Sequence, residues 1–182
     1  HPGLGVLLAE RLDPAVRQRV GALVAVVARM AAHPVPFDLV ARGEPVEAPP
    51  DGEGDERSQF AYWLRQAHPE WQVLNRGVNG ERSDEIARRF DRDVLALAPS
   101  VVVIIAGVND VYQGRPAAHV IDELRAMYDR AARAGLPVIA GTIVPYNTAT
   151  ADQNARMRDI NAWIAAEAAR RPGLTCVDTR AA

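Results

Sequence analysis

The chain of 182 residues is long enough for one domain with its own core and too short for two large ones. Hydrophobic residues at 48% and charged residues at 24% exclude wholesale disorder, and a net charge of -2 supplies no basic field for binding nucleic acid. All 21 basic residues are arginine, which excludes Schiff-base, Walker-lysine and Ser–Lys chemistry together, and the lone Cys176 can form neither an internal disulfide nor a cysteine zinc cage.

The longest apolar stretch, Val20 to Ala28 with Gly21 inside it, falls well short of the ~20 residues a membrane span needs. The first residues lack the basic start and small-residue cleavage site of a signal peptide, so the protein is expected to be soluble, in the cytoplasm or secreted.

In chain order, a helix is expected from Asp13 to Ala32. Asp13 suits the cap, Pro14 the first turn, and Val16, Val20, Leu23, Val24, Val27 and Met30 form one apolar stripe. His33-Pro34-Val35-Pro36 stops it, and a short strand follows from Phe37 to Ala41. Glu44 to Arg57, rich in proline, glycine and acid, reads as a long loop of the kind that often controls access to a site. Helix Ser58 to Ala67 then leads to strand Trp71 to Asn75. Helix Asp84 to Leu97 is expected to bury Ile86, Phe90, Val94 and Leu97. The apolar run Val101-Val102-Val103-Ile104-Ile105 suits a strand buried on both faces. Helix Pro116 to Ala134, closed by Gly135, precedes strand Val138 to Val144. Helix Asp152 to Arg171 and strand Leu174 to Asp178 complete the pattern. Strands alternating with helices of this length predict a parallel sheet with helices on both faces. The expected organisation is an N-terminal helical extension, residues 1–36, and one α/β domain, residues 37–182.

In such a sheet a ligand binds beyond the carboxyl ends of the strands. Two polar segments fall there: Asn75-Arg76-Gly77-Val78-Asn79-Gly80-Glu81-Arg82-Ser83 after the second strand, and Gly107-Val108-Asn109-Asp110 after the third. The backbone N–H of Gly80 and the side-chain amide of Asn109 are both suited to cradle developing negative charge. The simpler alternative makes Gly77 and Gly80 turn residues and Ser83 a helix cap.

These two segments, in this order and with one helix and one buried strand between them, resemble the second and third blocks of the SGNH or GDSL hydrolases. The resemblance runs from about Phe37 to the C-terminus. It implies a flavodoxin-like three-layer α/β/α sandwich with a parallel five-stranded sheet, preceded here by the N-terminal helix. It also implies hydrolysis of an O-acyl ester, on a lipid, an acetylated carbohydrate or a small natural product, with no metal or organic cofactor. Gly80 and Asn109 become oxyanion-hole donors, Asp110 shapes its turn, and Thr142-Ile143-Val144-Pro145 is similar to the substrate-side loop.

Two blocks depart from the family pattern. The nucleophile belongs to a Gly-Asp-Ser motif after the first strand, where this chain has Gly43-Glu44-Pro45, and Pro45 has no hydroxyl. An Asp-x-x-His block is expected past the last strand, and the sequence to Ala182 offers Asp178 with no histidine after it. The alternative to an esterase is therefore an inactive hydrolase fold that binds a small molecule or a protein. Of the three serines, Ser58 is the candidate displaced nucleophile, Ser83 a helix cap, and Ser100 opens a strand on the wrong side of the sheet. His33 and His68 each precede a proline at a helix exit, His119 is expected to face solvent, and His1 reaches a site only in a permuted or swapped arrangement. Asp91, Asp93 and Glu123 are expected on solvated helix faces, and Trp63, Trp71 and Trp163 in packing roles.

Overall fold

The computed structural model describes residues 40–41, 66, 69, 73–78 and 80–179. The helix expected over residues 13–32 and the loop over 44–57 lie outside these residues, as does the helix over 58–67 apart from Gln66.

The sheet is ordered β2-β1-β3-β4-β5, with β1 at Val40–Ala41, β2 at Leu74–Asn75, β3 at Val102–Ile104, β4 at Val138–Gly141 and β5 at Leu174–Val177. Strands β3, β4 and β5 pair in parallel, Val103 opposite Ile139 and Ile139 opposite Thr175. The expectation of a sheet parallel throughout is corrected at β1, which pairs antiparallel with both β2 and β3. Parallel neighbours need a crossover connection. Helices supply it for β3 to β4 and for β4 to β5, whereas the segments adjoining β1 lie outside the described residues.

Helix α1 spans Ser83–Asp93, shorter than the single helix expected to Leu97; a 3₁₀ turn, Leu95–Leu97, follows it. Ala98 stands in the left-handed region at φ 45° ahead of Pro99, and the residue before a proline avoids helical geometry. Val94 already departs from helix dihedrals, so Leu97 ends half-buried instead of buried. Next come a short helix α2, Val108–Tyr112, which no periodicity announces, then α3, Ala117–Arg133, and α4, Ala151–Arg170. Gly135 at φ +66° ends α3, and Leu136 N–H turns back to the Ala131 carbonyl. Thr150 and Gln153 form a reciprocal cap at the start of α4, with Gln153 N–H donating to the Thr150 hydroxyl at 3.2 Å.

Helices α1, α3 and α4 close one face of the sheet in a continuous core. Ile86 and Phe90 from α1, Leu124 and Met127 from α3, and Ile160 and Ile164 from α4 meet Val102, Ile104 and Val138 there. Burying an aliphatic side chain of this kind stabilises by roughly 1.5–3 kcal/mol. The alternate residues Val103 and Ile139 point to the other face and are buried as well. That accounts for the unbroken apolar run at β3. Tyr128 of α3 stacks on Trp163 of α4 with ring centroids 6.0 Å apart, and Arg171 joins α4 to Asp129 of α3 at 2.6 Å. Trp163 thus has the packing role expected of it.

Candidate functional site

Strands β2 and β3 run in the same direction, so the loop after Asn75 and the turn after Ile104 emerge at one edge of the sheet. The Asn75 side chain accepts from Gly77 N–H at 2.9 Å, and Glu81 N–H reaches the Val78 carbonyl at 3.3 Å. Gly80 lies inside that turn at φ +83°, exposed, with open space where a Cβ would stand. Backbone conformation, not crowding, is what calls for glycine there.

The β3 end has the opposite constraint. Gly107 at φ +117° starts α2, and a Cβ on it would stand 2.8 Å from both Ile143 Cδ1 and Val120 Cγ1. Its bare backbone lets α2 sit close against the sheet edge. There the Asn109 Nδ2 donates to the Glu81 carbonyl at 2.8 Å. Asp110 is fully buried and accepts Ser83 N–H and the Ser83 hydroxyl, both at 2.8 Å. A third link runs from Arg82 to the Gln113 side chain at 3.1 Å. Four hydrogen bonds, to Asn109 and Asp110 of α2 and to Gln113 just past it, therefore hold the loop that carries Gly80.

Arg89 braces the same loop from the α1 side. Its guanidinium donates to the Arg76 carbonyl at 2.7 Å, to Asp93 at 3.0 Å and to the Glu81 carboxylate. Glu81 is thereby held twice, by its side chain to Arg89 and by its carbonyl to Asn109. Hydrogen bonding from Arg92, then from Arg89, brings the Asp93 carboxyl down to about 2 although partial burial opposes it.

Beyond β4, Asn161 of α4 imitates a strand partner: its side-chain oxygen accepts from Ile143 N–H at 2.7 Å and its Nδ2 donates to the Ile143 carbonyl at 3.0 Å. Thr142 and Thr179 lock the ends of β4 and β5, with Thr179 N–H donating to the Thr142 hydroxyl at 2.9 Å. This fixes the course of Thr142-Ile143-Val144-Pro145 into Tyr146, whose ring meets that of Tyr112 edge to face at 5.8 Å.

Among the residues the sequence singles out, Gly80 and Asn109 share this edge. Pro45, Ser58, His1, His33 and His68 lie outside the described residues. Ser83 is not the cap expected of it: Arg82 holds the cap position, and the Asp110 carboxylate, from another element, satisfies Ser83 N–H. Ser100 precedes β3, at the opposite edge, beside an open groove of about 340 Å³ lined by Leu95, Pro99, Leu136 and Pro137. His119 is corrected from solvent-facing to half-buried, with its Nε2 enclosed and without a hydrogen-bond partner among the described residues. Asp84, Asp110 and His119 bring ligand atoms within 4.8 Å of one another. Arg82 already engages Asp84, and both Asp110 oxygens accept from Ser83. Asp93 is corrected from a solvated acid to a half-buried partner of Arg89 and Arg92, while Asp91 is exposed as expected. Burial pushes the Cys176 thiol up to about 11, which removes it as a ready nucleophile. Glu81, Arg89 and Asn161 carry no signal in the sequence, because their roles arise from contacts across 8 to 28 positions of chain.

Among the described residues, no helix is long and apolar enough to cross a membrane. No curated protein matches the chain. Solved structures do, over about two thirds of its length. A G-D-S-L family protein from Desulfitobacterium hafniense DCB-2 is 24% identical at a TM-score of 0.61, covering 70% of this chain and 69% of that one. A GDSL-like lipase from Bacteroides thetaiotaomicron VPI-5482 is 22% identical at a TM-score of 0.51, covering 64% and 63%. An acetylxylan esterase from Geobacillus stearothermophilus, solved as a catalytic mutant, is 23% identical at a TM-score of 0.53, covering 66% and 64%. The chain thus spans less than two thirds of the length of the latter two. At this identity the likeness establishes a shared α/β fold with a parallel sheet. The model of the GDSL-like lipase/acylhydrolase family matches residues 40–182, most of the chain, and places the protein in that family.

Proposed function

We propose that the protein is an ester hydrolase that cleaves an O-acyl ester, on a lipid, an acetylated carbohydrate or a small natural product, with Gly80 and Asn109 as oxyanion donors. The observation that carries this reading is the bond from Asn109 Nδ2 to the Glu81 carbonyl at 2.8 Å. An amide nitrogen has two hydrogens. One is spent on fixing the side chain, and the other stays available to an oxygen beside Gly80. Among the described residues nothing accepts from Gly80 N–H, so it is the second donor. Such preorganised donors lower the barrier as charge develops on the carbonyl oxygen.

In this reaction a serine oxygen attacks the acyl carbon, a base takes its proton, and the alcohol departs with a proton returned to it; water then releases the acid. Ser83 is fully buried and its hydroxyl donates a hydrogen bond to Asp110, and Ser100 lies at the opposite edge. Ser58, the candidate displaced nucleophile read from the sequence, lies outside the described residues.

The experiment is turnover of p-nitrophenyl acetate by the protein and by its Asn109→Ala and Ser58→Ala variants. The hydrolase reading expects Asn109→Ala to lower kcat on the order of 100-fold. Turnover that survives this change removes the oxyanion assignment, and turnover that survives Ser58→Ala removes the nucleophile assignment. The second reading, a non-catalytic binding module, is favoured by Pro45 at the nucleophile position. It expects no turnover by the unaltered chain.

A further inference from the structure

Two large apolar side chains stand exposed among the described residues, Val78 at 49% and Tyr112 at 66%. Both border the same loop. Val78 precedes Gly80 by two residues, and Tyr112 follows Asn109 by three, which puts it on the same face of α2. Isolated apolar residues on a surface need no explanation. Two that coincide with one candidate site, and with a fixed ring, do.

The Tyr112 ring is not loose. Tyr146 meets it edge to face at 69°, with its own ring packed against the core and its hydroxyl enclosed without a partner among the described residues. The neighbouring Gln113 is tied to Arg82 at 3.1 Å, which fixes the end of α2 that carries the ring. Arg156 reaches from α4 to the Arg115 carbonyl at 2.9 Å and steadies the segment that follows. The result is a braced aromatic face, open to solvent, between the loops that leave β3 and β4.

We propose that Tyr112, braced by Tyr146, is the stacking face for a ring carried by the ester, and that it selects esters bearing a ring over open-chain ones. The inference rests on the hydrolase reading and adds a substrate class to it. An aryl ring offers its flat face, and a pyranose chair its axial C–H groups, to the exposed tyrosine, whereas a flexible alkyl chain loses more conformational freedom for less contact. Aryl and pyranose rings share this chemistry.

The test compares phenyl acetate, a monoacetylated methyl xyloside and ethyl acetate, which share the acetyl group. For each, kcat/KM is measured for the unaltered protein, Tyr112→Ala and Tyr112→Phe. The ratio of the preferred ring ester to ethyl acetate is expected to fall roughly five-fold in Tyr112→Ala, through KM more than kcat, and to be retained in Tyr112→Phe. The first two esters identify which ring is taken. An unchanged ratio in Tyr112→Ala overturns the proposal. Phenylacetone, a ketone that cannot be hydrolysed, is titrated in parallel against protein with labelled tyrosine rings. Shifts of the Tyr112 ring signals without turnover of any ester uphold the stacking face and reject the hydrolase. Turnover without such shifts and without a changed ratio does the reverse.

Discussion

The Asn109 side chain reaches 28 positions back along the sequence to hold the Glu81 carbonyl at 2.8 Å, while the Glu81 carboxylate is held by Arg89. One residue is thus gripped from two helices. Its carbonyl faces the short helix α2 and its carboxylate faces α1, so the turn that carries Gly80 has little room to relax. In an oxyanion site the donors must not reorganise as charge appears. The double grip on Glu81 is how this chain would meet that requirement.

Arg89 is therefore expected to matter to stability and to the loop together. Its side chain is 11% exposed and faces two carboxylates, Glu81 and Asp93, that are themselves largely covered. Arg89→Met leaves both without their shared partner, which costs about 2–3 kcal/mol for a half-buried pair. Arg89→Lys keeps the charge and loses the forked geometry, so a loss of about 1 kcal/mol is expected. Urea denaturation of the three proteins measures this, and equal stabilities would refute the bracing role.

Gly107 admits no side chain on two independent grounds. Its φ of +117° disfavours any L residue, and a Cβ would stand 2.8 Å from Ile143 Cδ1 and from Val120 Cγ1. Gly107→Ala is expected to destabilise by about 2–4 kcal/mol, combining backbone strain with overpacking. Because α2 begins there, the change also displaces Asn109. The check is a thermal melt together with hydrogen exchange at Glu81 and Ser83, which should accelerate more than exchange in β4.

Much of this fold was legible because its signals are local. The helices over Ala117–Arg133 and Ala151–Arg170 follow from apolar spacing, the first closed by Gly135, and β3 from its unbroken apolar run, whereas the Thr150–Gln153 cap shows only in the structure. The third helix was read too long, since Ala98 in a left-handed conformation before Pro99 breaks it early, and a hydrophobic period does not report that. Helix α2 was missed for a related reason: its five residues are fixed by Gly107 and by bonds to a distant loop, not by propensity. At the candidate site, motif and position single out Gly80 and Asn109, and the structure brings both to one edge of the sheet. Ser83 was misread because a serine ahead of a helix satisfies the cap rule, whereas Asp110, 27 positions away, does the capping. His119 was misread because an early position in a helix suggests exposure, while the fold brings it within 4.8 Å of Asp84 and Asp110 and buries its Nε2.

Cys176 gives a chemical test of the β5 environment. Burial, with the Asp178 charge adding to it, raises its thiol to about 11. At pH 8 the native protein should then react with iodoacetamide roughly 100-fold more slowly than an unstructured cysteine. In 8 M urea the difference should vanish. Rapid native labelling would mean that the end of the sheet is open.

Acid should expose the Arg–Asp93 network. Asp93 takes up its proton at about 2 in the folded protein against an ordinary value of 3.8, chiefly because Arg92 and then Arg89 hydrogen-bond its carboxylate. The folded form therefore holds the proton less tightly than the unfolded form. The stabilisation is complete above about pH 5 and is lost as pH falls through 4 toward 2. Since Arg92 is largely solvated, the contribution is discounted to roughly 1–2 kcal/mol. Asp93→Asn removes the titration, so the stability gap between it and the unaltered protein should be of that size at pH 6 and shrink steadily below pH 4. Denaturant titrations at pH 6, 4 and 3 measure the gap. A gap that stays constant across this range would show that Asp93 does not carry the acid dependence, and a gap that widens on acidification would reverse the sign of the linkage.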